Sequence, residues 1–339
     1  MRREGKKFAW GLNRYDLLLT GFIVLIFVMM CMIKPNLFPK WDNINSMFLQ
    51  LAEIGLLSVG MALAFLIGGI DLSIVSNAVL SATLAGYVML AFKDSAPFVS
   101  ITAGICTAVL TGTVCGAVNG ALISKVNIPP ILATLGTNSL YRGIAVGITG
   151  GTTLGGFIEE FAVIGNGHIF GVYYAFIIFL IIIIGVGLFL GRTRGGVLTA
   201  LLGRNEKAAY FSGIHNTKLT IAVYAAIGSI AGAAGIIMMS RSNSINPDYG
   251  VSYLLQAILI CVVADVDIKG GRVRMSGLFL ALLLMQIIST SFNMLMTGYS
   301  GATFFKNIVW GLLLLILIII KYYSANRRRS VKSKGVNKA

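Results

Sequence analysis

The stretch FLIGGIDLSIVSN, residues 65–77, holds Asp71, the one charged side chain between Glu53 and Lys93. Apolar sequence runs away from it on both sides. Gly68 and Gly69 precede the carboxylate, and Ser73 and Ser76 follow it. Each glycine weakens a helix by roughly 1 kcal/mol relative to alanine. Serine hydroxyls bond freed backbone groups or a neighbouring carboxylate. The stretch therefore predicts a helix interruption lined with polar groups. A charge at mid-membrane is costly, so Asp71 is expected to face protein or a water-filled path rather than lipid. The residues alone leave three roles open: a proton relay, a solute contact, or a cap on the next helix's N-terminus.

Outward from this stretch the chain is oily throughout. Of its 339 residues 57% are hydrophobic and 12% charged, whereas a soluble domain is nearer half apolar and a quarter charged. The apolar residues fall in blocks of the length a helix needs to cross a bilayer. Spans are predicted near 15–33, 48–67, 75–92, 99–122, 131–150, 172–190, 219–239, 251–266, 277–296 and 304–320. The fold class is all-α: a polytopic membrane bundle of about ten helices. Those at 48–67 and 251–266 each run into glycine and a carboxylate, and are expected to be broken or partial. No polar stretch is long enough for a separate soluble domain. The chain reads as a basic N-terminus at 1–14, one transmembrane domain at 15–320 and a basic tail at 321–339. The first span is expected to be a retained signal anchor, since no small-residue cleavage site ends it.

The net charge of +15 does not point to nucleic acid, because the basic residues sit in loops and tails. With ten spans, one set of segments holds Arg2, Arg3, Lys6, Lys7, Arg14, Lys125, the loop at 192–218, Lys269, Arg272, Arg274 and the tail. That set carries 21 of the 27 basic residues. The other set carries Lys34, Lys40, Lys93, Arg241 and Lys306, and Arg142 is left inside a span. The bias places both termini in the cytoplasm. Cys31, Cys106, Cys115 and Cys261 lie in apolar runs at unrelated spacings and form no disulfide or zinc framework. Glycines recur every fourth residue at Gly112, Gly116 and Gly120, at Gly143, Gly147 and Gly151, and at Gly228 and Gly232. Small residues at that period let helix backbones approach closely in lipid.

A second polar segment, GRNEKAAYFSGIHNTK at 203–218, lies in the longest cytoplasmic connection. Asn205 suits an N-cap, Glu206 to Phe211 a short helix, and Gly213 its left-handed end. Such a helix would show Tyr210 and Phe211 to a soluble partner, or lie on the membrane surface as an ordinary loop helix.

GGIDLS at 68–73 resembles the signature of ATP-binding-cassette (ABC) permeases of the ribose type, which import simple sugars. The resemblance covers roughly residues 15–320. NGALISKVNIPPILATLGTNSLYRGIAVGITGG, at 119–151, is similar to that family's asparagine-glycine, isoleucine-proline-proline and threonine-leucine-glycine-threonine segment. GRNEKAAYFSGI is similar to its glutamate-alanine-alanine coupling loop, which docks on an ATPase. The resemblance implies an ABC importer permease fold in a bacterial plasma membrane. Its implied partners are an ABC ATPase subunit, a second permease subunit (identical or not), an extracytoplasmic solute-binding protein and membrane lipid. It makes Asn205, Glu206, Ala208, Ala209, Tyr210, Phe211, Ser212 and Gly213 the coupling loop. Gly68, Gly69, Asp71, Ser73, Thr134, Thr137 and Asn138 become candidates for the broken helix or pathway.

The text departs from the family at VVADVDIKGGRVRMSG, 262–277, where Ala264 and Asp265 replace an expected glycine pair. Asp265 and Asp267 are expected to pair with the basic run Lys269, Arg272 and Arg274. Asp71 and Asp267 also fall at matching places in a degenerate repeat. No catalytic, metal-binding or cofactor-binding residue is expected, and ATP would be bound by the partner, since no G-x-x-x-x-G-K loop occurs. The rival reading is an ion-coupled secondary transporter using Asp71. A membrane enzyme fits worst, because His168 and His215 fall on opposite sides of the membrane and no paired carboxylates share a cavity.

Overall fold

In a computed structural model, residues 14–299, 301, 304–317 and 319 are described. The basic segment before Arg14 and the tail at 321–339 lie outside them. In chain order the helices are α1 (Arg14–Ile33), α2 (Trp41–Leu66), α3 (Ile74–Ala91), α4 (Pro97–Ser124), α5 (Pro130–Thr149), α6 (Glu159–Asn166), α7 (Tyr174–Arg192) and α8 (Arg194–Arg204). There follow α9 (Glu206–Phe211), α10 (Asn216–Ser242), α11 (Tyr253–Val263), α12 (Met275–Leu295) and α13 (Phe304–Leu317). Four two-residue strands form two antiparallel ladders, β1 (Leu154–Gly155) with β4 (Ser244–Ile245) and β2 (His168–Ile169) with β3 (Val172–Tyr173).

Every expected span contains a helix, but the helices are unequal. Seven are long and apolar enough to cross a membrane: α1, α2, α3, α4, α7, α10 and α12. The helices α11 and α13 are short, and α5 is not among the seven although it has 20 residues. The expectation of a partial helix holds for α11, at 11 residues, and fails for α2, which runs unbroken for 26. Its early start at Trp41 was hidden by the polar text WDNINS, which reads as loop. The break follows α2 rather than interrupting it.

A helix apolar on every side is a buried helix, and α2 is the centre of the bundle. Its residues from Leu51 to Leu66 are all buried, against α7, α10, α11 and α12. Beside it, α4 and α10 touch backbone to backbone. A Cβ at Gly112 would strike the Gly228 carbonyl, at Gly116 the Tyr224 carbonyl, and at Gly228 the Gly112 carbonyl. The glycine repeats of these two helices are thus one interface. By contrast, a Cβ at Gly143, Gly147 or Gly151 would meet nothing within 4 Å. The Gly143-Gly147-Gly151 repeat packs on nothing among the described residues.

The two ends of the bundle differ. One gathers the 67–73 break, α8, α9 and the 264–274 turn. The other carries α6, the two ladders and Arg241, with Gly165 pressed against the Arg241 backbone.

Candidate functional site

The break begins where α2 stops. The Gly69 N–H donates to the Ala64 carbonyl and the Gly68 N–H to the Phe65 carbonyl, both at 2.9 Å. This is a Schellman motif, with Gly68 left-handed at φ 77°. Asp71 is fully buried. Its Oδ1 accepts the Ser73 N–H at 2.9 Å and the Ser73 hydroxyl at 2.7 Å, an Asx-type turn. The N-cap of α3 is Ser73, whose side chain bonds no helix N–H. Asp71 therefore pins the residue that starts α3 rather than capping it.

A chain of donors leads to the carboxylate from two other helices. Thr137 Oγ1 donates to Asn119 Oδ1 at 2.7 Å, and Asn119 Nδ2 donates to Ser73 Oγ at 2.7 Å. Thr134 Oγ1 holds the Ile70 carbonyl at 3.0 Å. Six of the seven candidates, Gly68, Gly69, Asp71, Ser73, Thr134 and Thr137, are thus gathered here. Asn138 is half-buried on another flank of α5 and has no part in the chain. Asn119, at the heart of the network, was not singled out from the sequence. Its signal was an asparagine inside an apolar span, followed by the Gly120 that lets α4 meet α10.

Asp71 lies in the break between α2 and α3, at the α9 end of the bundle. Burial lifts its carboxyl above the usual range, to about 6, against the pull of the two Ser73 bonds. Its Oδ2 and the buried Tyr224 hydroxyl have no hydrogen-bond partner among the described residues. Tyr224 lines a cleft of about 330 Å³ between Gly68, Gly69, Pro129, Pro130, Leu202 and Glu206.

The cleft's far wall is the loop segment. Asn205 accepts the Ala208 N–H at 3.0 Å on its side chain, as an N-cap does. Gly213, at φ 80°, closes α9 with a second Schellman motif: its N–H donates to the Tyr210 carbonyl and the Ile214 N–H to that of Ala209. Tyr210 and Phe211 are 68% and 85% exposed, their rings edge to face at 5.8 Å. Ala208 and Ser212 also face out, whereas Ala209 is buried. Of the two alanines, then, Ala209 is small for the sake of its own chain.

This segment is wedged against the break. A Cβ at Gly203 would strike the Leu66 carbonyl, which also accepts the Gly271 N–H at 2.7 Å. The last turn of α2, the end of α8 and the turn after α11 therefore meet at one carbonyl.

That turn repeats the break's construction. The Val266 N–H donates to Cys261 and the Asp265 N–H to Val262, so α11 ends in the same Schellman motif as α2. Asp265 occupies the left-handed position at φ 57°, which aspartate tolerates better than most residues. Asp267 Oδ1 accepts the Lys269 N–H at 3.0 Å, as Asp71 does that of Ser73. The glycine-pair departure thus puts an aspartate in the left-handed position that ends α11, one residue nearer its Asx turn than Gly68 is to Asp71. The expected pairing of the carboxylates with the basic run is corrected in part. Asp265 pairs with Arg272 at 2.9 Å, but Arg274 reaches instead to the buried Asp16 of α1 at 3.0 Å.

One further buried charge escaped the sequence reading. Glu53, fully buried in α2, meets Arg241 at 3.0 Å and accepts from the Tyr253 hydroxyl at 2.9 Å. The Tyr249 hydroxyl lies 3.3 Å from both of its oxygens. The network clamps α2, α10 and the start of α11 together at the end away from α9.

With this geometry in view, residues 43–320 match the family described as branched-chain amino acid transport system / permease component. The chain is 30% identical to the ribose import permease protein of Haemophilus influenzae, over 97% of this chain and 99% of that one. It is 27% identical to the L-arabinose ABC transporter permease protein of Azospirillum brasilense, covering 96% and 92%. It is 29% identical to the D-allose transport system permease protein of Escherichia coli, covering 94% of each. No solved structure matches it.

Proposed function

This chain belongs to the branched-chain amino acid transport system / permease component family, and on that premise we propose how it works as the membrane subunit of an ABC importer. Its solute is a simple sugar, handed over by an extracytoplasmic binding protein, and ATP is hydrolysed on a separate subunit. The relatives named for ribose, arabinose and allose support the sugar. Both termini and α9 face the cytoplasm, in keeping with the bias of basic residues.

One observation carries the mechanism: α9 shows two aromatic rings to solvent while its neighbour Gly203 is wedged against the last carbonyl of α2. The ATPase grips α9. Its closure moves α8, and Gly203 passes the movement to Leu66 and so to the break. There the Asp71–Ser73–Asn119–Thr137 chain ties α3, α4 and α5 to the same event. Asp71 serves as a structural pin, so the ion-coupled reading has no task left for it.

The test is uptake in proteoliposomes with and without the ATPase and binding protein. ATP-driven accumulation of D-ribose, L-arabinose or D-allose is expected only with all components present. Uptake by the permease alone down a proton or sodium gradient would overturn the reading.

A further inference from the structure

Outward-facing side chains on a membrane helix show what the helix faces. On α1 these are Leu17, Phe22 and Leu25, on α4 Leu110 and Val114, and on α7 Ile181 and Ile184. All are apolar, as lipid requires. The exposed surface of α5 is apolar at Leu132, Leu135, Leu140 and Ile144 but also carries a charge. Arg142 stands seven residues before the helix ends at Thr149, or roughly 10 Å of helix. Its Nη2 and Nε donate to Asp248 Oδ1 at 2.5 and 3.1 Å, and the two side chains are 53% and 64% exposed. Asn138 lies one turn before Arg142 on the same flank. Within a membrane span, charged groups are confined to protein interiors and water-filled cavities. An exposed ion pair on the outside of a single chain therefore meets water, not hydrocarbon.

A second observation agrees. Gly136, Gly143 and Gly147 would find nothing within 4 Å of an added Cβ. Each costs the helix roughly 1 kcal/mol relative to alanine, with no packing return among the described residues. By contrast, Gly112, Gly116 and Gly120 of α4 and Gly228, Gly232 and Gly235 of α10 are all pressed on backbone. The exposed side of α5 is thus shaped for something beyond its own chain.

We propose that this face of α5 is a wall of the solute path, and that Arg142 with Asp248 is the point on it that meets the hydroxyl groups of an uncharged, hydroxyl-rich solute. The inference rests on the sugar-importer reading above. With Nε and Nη2 committed to Asp248, Arg142 keeps its remaining N–H donors for solute oxygens. The carboxylate beside it accepts from solute hydroxyls. Together the pair is neutral, so it offers a donor and an acceptor side by side without attracting ions. Asp248 also sits next to Tyr249, which reaches the buried Glu53. A solute that engages the pair thereby touches the segment clamped to the centre of the bundle.

The experiment uses the assembled complex in membrane vesicles. Asn138→Cys and Ser139→Cys are treated with a membrane-impermeant, charged thiol reagent, and modification is read peptide by peptide. Native Cys106, exposed on the apolar face of α4, is the lipid-facing control. Both new cysteines are expected to react while Cys106 does not. The sugar that the wild-type complex imports, among D-ribose, L-arabinose and D-allose, is expected to slow the reaction severalfold. Arg142→Gln and Asp248→Asn are expected to change the ratio of uptake among the three sugars by about tenfold, with subunit assembly intact. A merely structural ion pair would lower all three alike. Cysteines as inert as Cys106 would overturn the wall. Reactivity without sugar protection, or an unchanged uptake ratio, would overturn the contact. If the wild type imports no sugar, the importer reading fails by that result and takes the contact with it, while thiol reactivity still decides the wall.

Discussion

Ser73 is the residue on which the break depends, because its hydroxyl gives one hydrogen bond to Asp71 and takes one from Asn119. Removing its hydroxyl leaves a buried amide donor without its acceptor, which costs about 1–3 kcal/mol. Asp71→Asn retains an Oδ1 that can accept both Ser73 bonds, whereas Asp71→Ala retains neither. We therefore expect Ser73→Ala and Asp71→Ala to lower thermal stability in detergent and to impair uptake, with Asp71→Asn close to wild type. Equal loss of uptake in the Asn and Ala variants, both stable and assembled, would show that the ionisable group itself is required. From the sequence the polar break was plain, since the one charge between Glu53 and Lys93 has to be held by something. Its partners were not. Asn119 is 46 residues from Ser73, and no local pattern tells which of several buried amides the fold brings across.

Among the elements, α9 was the most legible, because its limits are set by side chains within the segment itself. Asn205 and Gly213 fix both ends through local hydrogen bonds. Span limits are set by packing instead, which is why α2 begins before its hydropathy does. The glycine repeats show the same limit. Gly112-Gly116-Gly120 and Gly143-Gly147-Gly151 have one spacing and opposite surroundings, since the period names a face without saying what covers it. Two expectations follow for the loop. Replacing Tyr210 and Phe211 together with alanine should abolish co-purification with the ATPase while leaving insertion unchanged, because buried aromatic anchors dominate most interfaces. Gly203→Ala should do the reverse: the ATPase still binds, but its hydrolysis no longer responds to solute, because the added methyl drives α8 off the Leu66 carbonyl. Normal coupling in the glycine variant would remove that contact from the transmission path.

For the whole molecule, the chain divides its charges by end. The α9 end holds the two Asx turns and the exposed Asp265–Arg272 pair, and the opposite end holds the Glu53 clamp. The ionic ties that define this arrangement span 188 residues for Glu53 and Arg241 and 258 for Asp16 and Arg274. Composition could announce a membrane bundle, but only the folded chain shows which charges are buried as pairs. The orientation is checked directly by thiol labelling. Ser212→Cys should react with an impermeant reagent in inside-out vesicles alone, and Asp94→Cys, at the other end of α3, in right-side-out vesicles alone. The opposite pattern would invert the topology.

The brevity of α9 bears on how the assembly could be blocked. It has six residues, and helices shorter than about 12–15 residues are marginal in water on their own. Its shape is on loan from both caps, from the buried Ala209 and from the Asn216 amide that holds the Glu206 carbonyl at 2.8 Å. A linear peptide copied from residues 205–213 would therefore be unfolded and a feeble decoy for the ATPase. A cyclised copy that keeps the two ends in place, with both aromatic rings outward, is the competitor worth synthesising.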